Sequence, residues 1–131
     1  MKYLGVDYGT KRVGIALSDP NGRLAFPRIV LTNTRTLVAD IVALAKSESV
    51  GAFVIGESHD RENMPNVIMK KIIPFSDELR SRTQLPVFFV SEAYTSQEAK
   101  HIQGENAMHD ASAAAIILQT YLDKENDRNG L

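Results

Sequence analysis

Apolar residues in the first third of the chain come in short runs of the kind that strands make. Residues 3–6 and 13–17 are apolar, rich in β-branched side chains, and separated by a turn containing Gly9, the pattern of a β-hairpin. Asp19-Pro20-Asn21-Gly22 makes a second turn, because Pro20 pre-sets φ while Asn21 and Gly22 tolerate left-handed backbone. Residues 24–31 read as a third strand, in which Pro27, unable to donate to a ladder, belongs at an edge or a bulge. From Thr36 the period changes: Leu37, Ile41, Leu44 and Ala45 fall at helical spacing, with Asp40, Lys46 and Ser47 turned away, and the helix closes near Gly51.

The second half alternates strands with helices. Ala52-Phe53-Val54-Ile55-Gly56 is a continuous apolar run, as expected of a parallel strand buried on both faces, and a polar loop over 57–66 follows it. Ile68, Ile72, Phe75 and Leu79 return to helical spacing, with Pro74 predicting a kink or a shortened helix. Residues 86–90 form another apolar run ending on Ser91-Glu92-Ala93. Thr95-Ser96-Gln97-Glu98 matches a capping box, which starts a helix reaching to about Gln103. Residues 104–109 read as a loop, and the alanine-rich segment from Asp110 to Leu122 as a largely buried helix packed close to a sheet. Residues 123–131 read as a frayed polar tail. A right-handed crossover would set the fourth strand parallel to the first and beside it. The result is an α/β fold, a mixed five-stranded sheet with helices packed on its faces, whose ligands gather beyond the carboxyl ends of the strands.

At 131 residues and 44% hydrophobic, the chain predicts one domain spanning 1–131. It has no cysteine, which leaves only oxygen or imidazole ligands for a metal. No apolar run approaches the roughly 18 residues that cross a bilayer and no signal peptide opens the chain, so a cytoplasmic location is expected. A net charge of −1 gives no global attraction to nucleic acid, so such a partner would have to meet a local basic patch.

Three carboxylates stand at strand or helix ends: Asp7 after the first strand, Glu92 after the last, and Asp110 at the start of the alanine-rich helix. Oxygen ligands of this kind suit Mg²⁺ or Mn²⁺, and a pair of such ions about 4 Å apart can activate a water and steady a leaving phosphate oxygen. Each acid also has a plain structural role open to it. Asp7 can start a turn, Glu92 can favour a nearby helix N-terminus, and Asp110 can cap its helix. Thr10, Lys11 and Arg12 place phosphate-seeking donors beside Asp7, although the same residues suit a solvated turn. His59, His101 and His109 sit in dissimilar settings and read as surface residues.

The run from Gly5 to Asp19, GVDYGTKRVGIALSD, resembles the opening motif of the YqgF/RuvX family, ribonuclease-H-like Holliday junction resolvases and nucleases of ribosomal RNA precursors. Leu85-Pro86-Val87 with Glu92, Thr95 and Glu98-Ala99 resembles that family's second block. Asp110 with Ala113-Ala114, Ile117-Leu118-Gln119 and Tyr121-Leu122 resembles its last. The resemblance implies a ribonuclease-H-like fold and a Mg²⁺- or Mn²⁺-dependent nuclease whose metal-binding catalytic acids are Asp7, Glu92 and Asp110. It also implies that Thr10, Lys11 and Arg12 meet the nucleic acid backbone, where such contacts position a strand without reading its sequence. Precursor 16S ribosomal RNA or a branched DNA would be the substrate. Cutting both strands of a junction needs two sites, which a homodimer would supply.

Two departures from the family pattern stand out. Gly56-Glu57-Ser58-His59-Asp60-Arg61 replaces a Gly-Leu-Pro segment and its glycine loop, with Glu57 and Arg61 as substitute charges, and Ser91-Glu92-Ala93 keeps only the acid of an Asp-Glu-Arg triplet. They motivate an alternative, a nucleic-acid-binding module of the same fold with weakened turnover. Asp7-Tyr8-Gly9-Thr10 also looks like the phosphate loop of the actin and sugar-kinase superfamily, but those proteins bind ATP between two such halves and this chain has room for one.

Overall fold

The computed structural model describes residues 1–57, 67–91 and 107–128, with backbone alone for 107–110. The meander forms as expected, with β1 (Tyr3–Tyr8), β2 (Arg12–Ser18) and β3 (Ala25–Thr32) paired antiparallel. Then come α1 (Leu37–Ser47), β4 (Ala52–Glu57), α2 (Met69–Thr83), β5 (Val87–Ser91) and α3 (Ala107–Arg128). The sheet order is β3-β2-β1-β4-β5, with β4 parallel to both β1 and β5. The predicted helix over 95–103 and most of the loop over 57–66 lie outside the described residues.

Strand alternation divides the core between the two faces of the sheet. Leu4, Val6, Val13, Ile15, Phe53 and Ile55 pack against Leu37 and Ile41 of α1 and Ile72, Phe75 and Leu79 of α2. The residues between them point the other way, where Ala16, Val54 and Val90 meet Ala114, Ile117, Leu118 and Leu122 of α3. The uninterrupted apolar run of β4 follows from this, since Ala52 through Ile55 are buried on both faces.

The expectation at Pro27 holds, and several helix boundaries are corrected. Pro27 stands at both an edge and a bulge: Ile15 pairs with Ile29 but Ala16 with Pro27, leaving Arg28 as the extra residue on edge strand β3. Helix α1 closes two residues before Gly51, on Ser49 at φ 56°, with the Ser49 and Val50 N–H groups donating to the Lys46 and Ala45 carbonyls at 3.2 and 2.9 Å. Gly51 instead packs closely against the N-terminus, where a Cβ would lie 2.7 Å from Met1 Cγ and displace that flexible side chain.

Helix α2 runs through Pro74, which sits in its second turn. Only the bond that a residue-74 N–H would give Lys70 is lost, and burial of Ile72, Phe75 and Leu79, at about 1.5–3 kcal/mol each, outweighs a proline cost of about 3 kcal/mol. Helix α3 begins at Ala107, so Asp110 lies inside its first turn and is not its cap. Ala107 and Met108 are good helix formers, and an acid in a first turn suits the helix dipole. Nor does α3 fray at 123. Gln119 Nε2 donates to Asp123 Oδ1 at 2.9 Å, Arg128 pairs with Glu125 at 3.3 Å, and Asn126 Nδ2 donates to the Gly22 carbonyl at 3.4 Å.

The far end of the GVDYGTKRVGIALSD motif has a structural role. Ser18, 3% exposed, accepts the Tyr3 N–H on its Oγ at 2.8 Å, and Asp19 Oδ1 accepts the N–H groups of Leu24 and Arg23, each at 2.8 Å. Those donors, with Asn21 as a further one, hold the Asp19 carboxyl below the usual carboxylate range. A depressed folded pKa gives stability that is present above the unfolded value and is lost as pH falls through the folded one. Thermal melts from pH 6 to pH 3 should therefore show a smaller drop in Tm for Asp19→Asn than for the unmodified chain, the difference arising below about pH 5. Parallel melting curves at every pH would contradict this role.

Candidate active site

Because β1, β4 and β5 are parallel, their carboxyl ends share one rim of the sheet, and the β1–β2 turn lies on that rim too. Asp7, half-buried, is the next-to-last residue of β1. It pairs across β2 with Gly14, and alternation puts it on the face of Gly5 and Ala16, the face covered by α3. The Val6–Ile55 pairing places Gly56 beside it on β4. Asp7 thus stands at the rim with glycine two residues before it, opposite it and alongside it.

Two contacts fix how α3 crosses β1. The rings of Tyr3 and Tyr121 are 5.6 Å apart, and a Cβ on Gly5 would lie 2.8 Å from Leu118 Cβ and 3.1 Å from the Ala114 carbonyl oxygen. Burial and the Glu125 carboxylate push the Tyr121 hydroxyl up to about 12, so this anchor stays neutral. The helix therefore runs antiparallel to β1, with its N-terminal end toward the rim. From Gly5 to Asp7 is about 7 Å of strand, and from Ala114 back to Asp110 is about 6 Å of helix, so the first turn of α3 lies toward the rim where Asp7 stands. The dipole of α3 presents its positive end on the same side, which favours anions there.

The remaining predicted residues fall as follows. Glu92 lies outside the described residues, directly after Ser91, which closes β5 and pairs with Glu57. Glu57 shares its face with Phe53 and Ile55 on the α1/α2 side, so alternation sets it on the opposite face from Asp7 and it does not replace an acid there. Thr10 and Lys11 lie in the exposed β1–β2 turn and Arg12 opens β2. Arg61, Ala93, His59 and His101 lie outside the described residues, and His109 is in the first turn of α3. Among the described residues no group of three or more His, Cys, Asp or Glu side chains forms a metal cluster, and of the three candidate acids only the Asp7 side chain is within that set.

Sequence reasoning missed Asn33. It follows the end of β3, its N–H donates to the Lys11 carbonyl at 2.9 Å, and its Nδ2 donates to the Gly9 carbonyl at 2.8 Å. An asparagine just past a strand is an ordinary turn residue, and nothing in its spacing ties it to a turn more than twenty residues earlier.

Comparison with known proteins fits this geometry. A family model described as Holliday junction resolvase RuvX matches residues 1–124. A protein of Nitratidesulfovibrio vulgaris strain Miyazaki F named "Putative pre-16S rRNA nuclease" is 37% identical over 138 residues, covering 98% of this chain and 97% of that protein. The structure of RuvC from T. thermophilus with a Holliday junction substrate superposes with a TM-score of 0.63 at 16% identity, over 99% of this chain and 97% of that one, and shares the ribonuclease-H-like fold. A ROK hexokinase from Thermus thermophilus aligns with a TM-score of 0.51 at 19% identity, over 80% of this chain but only 38% of that one. A similar fold thus forms part of that larger protein. Among the described residues no helix is long and apolar enough to cross a membrane.

Proposed function

Since the chain belongs to the Holliday junction resolvase RuvX family, we propose that it is a divalent-metal-dependent endonuclease acting in the cytoplasm on structured nucleic acid, with precursor 16S ribosomal RNA as its first substrate. The site assignment is supported by the Tyr3–Tyr121 and Gly5–Ala114 contacts, which run α3 antiparallel to β1 so that its first turn, with Asp110, lies toward the carboxyl rim where Asp7 stands. Ribosomal precursor is placed ahead of branched DNA because the 37%-identical relative carries that name, whereas the junction-bound neighbour shares the fold at 16% identity.

The donor chemistry suits the metal. Carboxylates at positions 7, 92 and 110 are hard oxygen ligands, and a set of acids gathered at one rim would repel one another without a cation among them. Asp7, Glu92 and Asp110 would hold Mg²⁺ or Mn²⁺, which when bound supplies an activated water and neutralises charge on the scissile phosphate. The chain's own residues do the rest. Asp7 stands on a strand fixed by the β1–β2 and β1–β4 ladders, so the backbone that carries its carboxylate is in place before substrate arrives. Lys11 and Arg12, carried on the turn beyond it, pair with phosphates on either side of the cut and set the strand's register. Thr10 offers a hydroxyl and an amide to a phosphate oxygen.

The test is cleavage of a precursor 16S RNA fragment and of a four-way DNA junction by rigorously purified protein with Mg²⁺, with Mn²⁺ and with chelator. Metal-dependent cleavage of the RNA is expected. Salt-sensitive binding with no cleavage at any metal concentration would overturn the nuclease reading in favour of the binding module that Ala93 and the changed loop after Gly56 suggest.

A further inference from the structure

We infer that Asn33 is a positioning residue for nucleic acid binding, one that locks the Gly9–Arg12 turn into the shape in which it seats a phosphate. The inference rests on the proposed function for its ligand class, the nucleic acid phosphate backbone.

Three observations support it. First, Asn33 takes both carbonyls that flank Thr10: its Nδ2 donates to Gly9 O at 2.8 Å and its backbone N–H donates to Lys11 O at 2.9 Å. In a trans peptide the N–H points opposite to the C=O. Drawing the Gly9 and Lys11 carbonyls toward Asn33 therefore turns the Thr10 and Arg12 amides the other way. Second, Asn33 is half-buried between exposed Thr32 and Thr34, which fits a side chain turned inward to the turn. Third, the turn as Asn33 holds it is tight. A Cβ on Gly9 would lie 2.4 Å from the Arg12 carbonyl oxygen, so Gly9 folds directly against the residue that opens β2.

A two-cation turn without such a clamp would sample many conformers, and binding would have to order it. Ordering a loop on binding carries an entropic cost, and a clamp on the turn's backbone reduces that cost before the ligand arrives. Asn33 itself donates to the turn and not to the ligand. Its strand, β3, is the edge farthest from β4 and β5, so the clamp links the outer edge of the sheet to the rim where Asp7 stands.

The experiment measures binding of a fluorescein-labelled RNA stem-loop by anisotropy across a salt series, with Ca²⁺ in place of Mg²⁺, for the unmodified chain, Asn33→Ala, Asn33→Asp, Lys11→Ala and the double variant Asn33→Ala/Lys11→Ala. Losing the side-chain hydrogen bond should weaken binding about three- to tenfold in Asn33→Ala, and more in Asn33→Asp, whose carboxylate cannot donate to Gly9 O. The salt slope should become shallower by about one phosphate contact, a readout that a general loss of stability does not move. The double variant should be less impaired than the product of the two single effects, because both act through one turn.

Unchanged affinity and slope in folded Asn33→Ala, or effects that simply multiply, would overturn the inference while leaving the nuclease reading intact. Loss of cleavage everywhere with the Asn33 effect on binding preserved would overturn the nuclease reading alone. No binding by the unmodified chain would overturn both.

Discussion

Asp7→Asn is expected to lower metal-dependent cleavage by at least about a hundredfold while leaving the chain folded and able to bind nucleic acid. Residues that merely orient a metal ligand cost about 10–100-fold when removed, so a direct ligand should cost more. Asparagine keeps the shape of the side chain, and the ladder pairs of β1 on either side of position 7 are backbone bonds that the change does not touch. Removing the negative charge of Asp7 from the rim lessens repulsion toward phosphate, so the RNA stem-loop should bind as tightly or more tightly at low salt. Loss of cleavage together with retained binding separates a role in chemistry from a role in folding. Cleavage within a few fold of the unmodified chain would remove Asp7 from the catalytic assignment, and with it the role given to the β1 rim.

How much of this was legible in the sequence depended on whether the signal was local. The meander, the crossover and the two-faced strand β4 follow from period and apolar continuity over a few residues, and they appear as read. Pro27 was informative because a proline's missing donor has few tolerable places in a sheet, and the fold uses two of them at once. Helix ends were less legible. Ser49 holds a left-handed conformation that a glycine two residues later seemed better suited to, since tertiary packing of Gly51 against Met1 had a separate claim on that glycine. The tail beyond Leu122 reads as unstructured in sequence because one of its stabilising partners, Gly22, is about a hundred residues away.

The same distinction applies to the site. Asp7 was recognisable from the motif, but its face of the sheet is set by register, and register also sends Glu57 to the opposite face. Ser18 and Asp19 read as part of the same motif, yet their hydrogen bonds tie the β2–β3 turn and the start of β1, at the other end of the hairpin from the rim. A fifteen-residue pattern therefore carries two separable demands, one from the site and one from the fold. Asn33 was invisible because a single side-chain amide bridging two turns leaves no periodic trace.

Gly5→Ala should be strongly damaging for activity, although Gly5 touches no substrate. The added Cβ would stand 2.8 Å from Leu118 Cβ, 3.1 Å from the Ala114 carbonyl oxygen and 3.4 Å from Leu118 Cδ2. The first two are a Cβ and a main-chain atom of a continuous helix, so no rotamer change relieves them. Carbon atoms rest about 3.5–4.0 Å apart, so α3 would have to lift from β1 by roughly 1 Å. Overpacking of this kind costs about 1–3 kcal/mol, within the total stability of an ordinary domain, so the variant should fold with a lowered Tm. The same displacement moves the turn that carries Asp110 relative to Asp7, and a 1 Å misplacement of reacting groups is worth about a hundredfold in rate. Measured at a temperature where the variant is fully folded, kcat should fall by about that factor while stem-loop affinity, set by the β1–β2 turn, changes little. Leu118→Ala provides the control, since it empties a buried site without removing the Cβ that the clash involves. It should lower Tm by a comparable or larger amount and spare kcat, because α3 can then keep its distance from β1. Equal losses of kcat in the two variants would mean that activity follows stability alone, and that the close approach of α3 to Gly5 does not set the site.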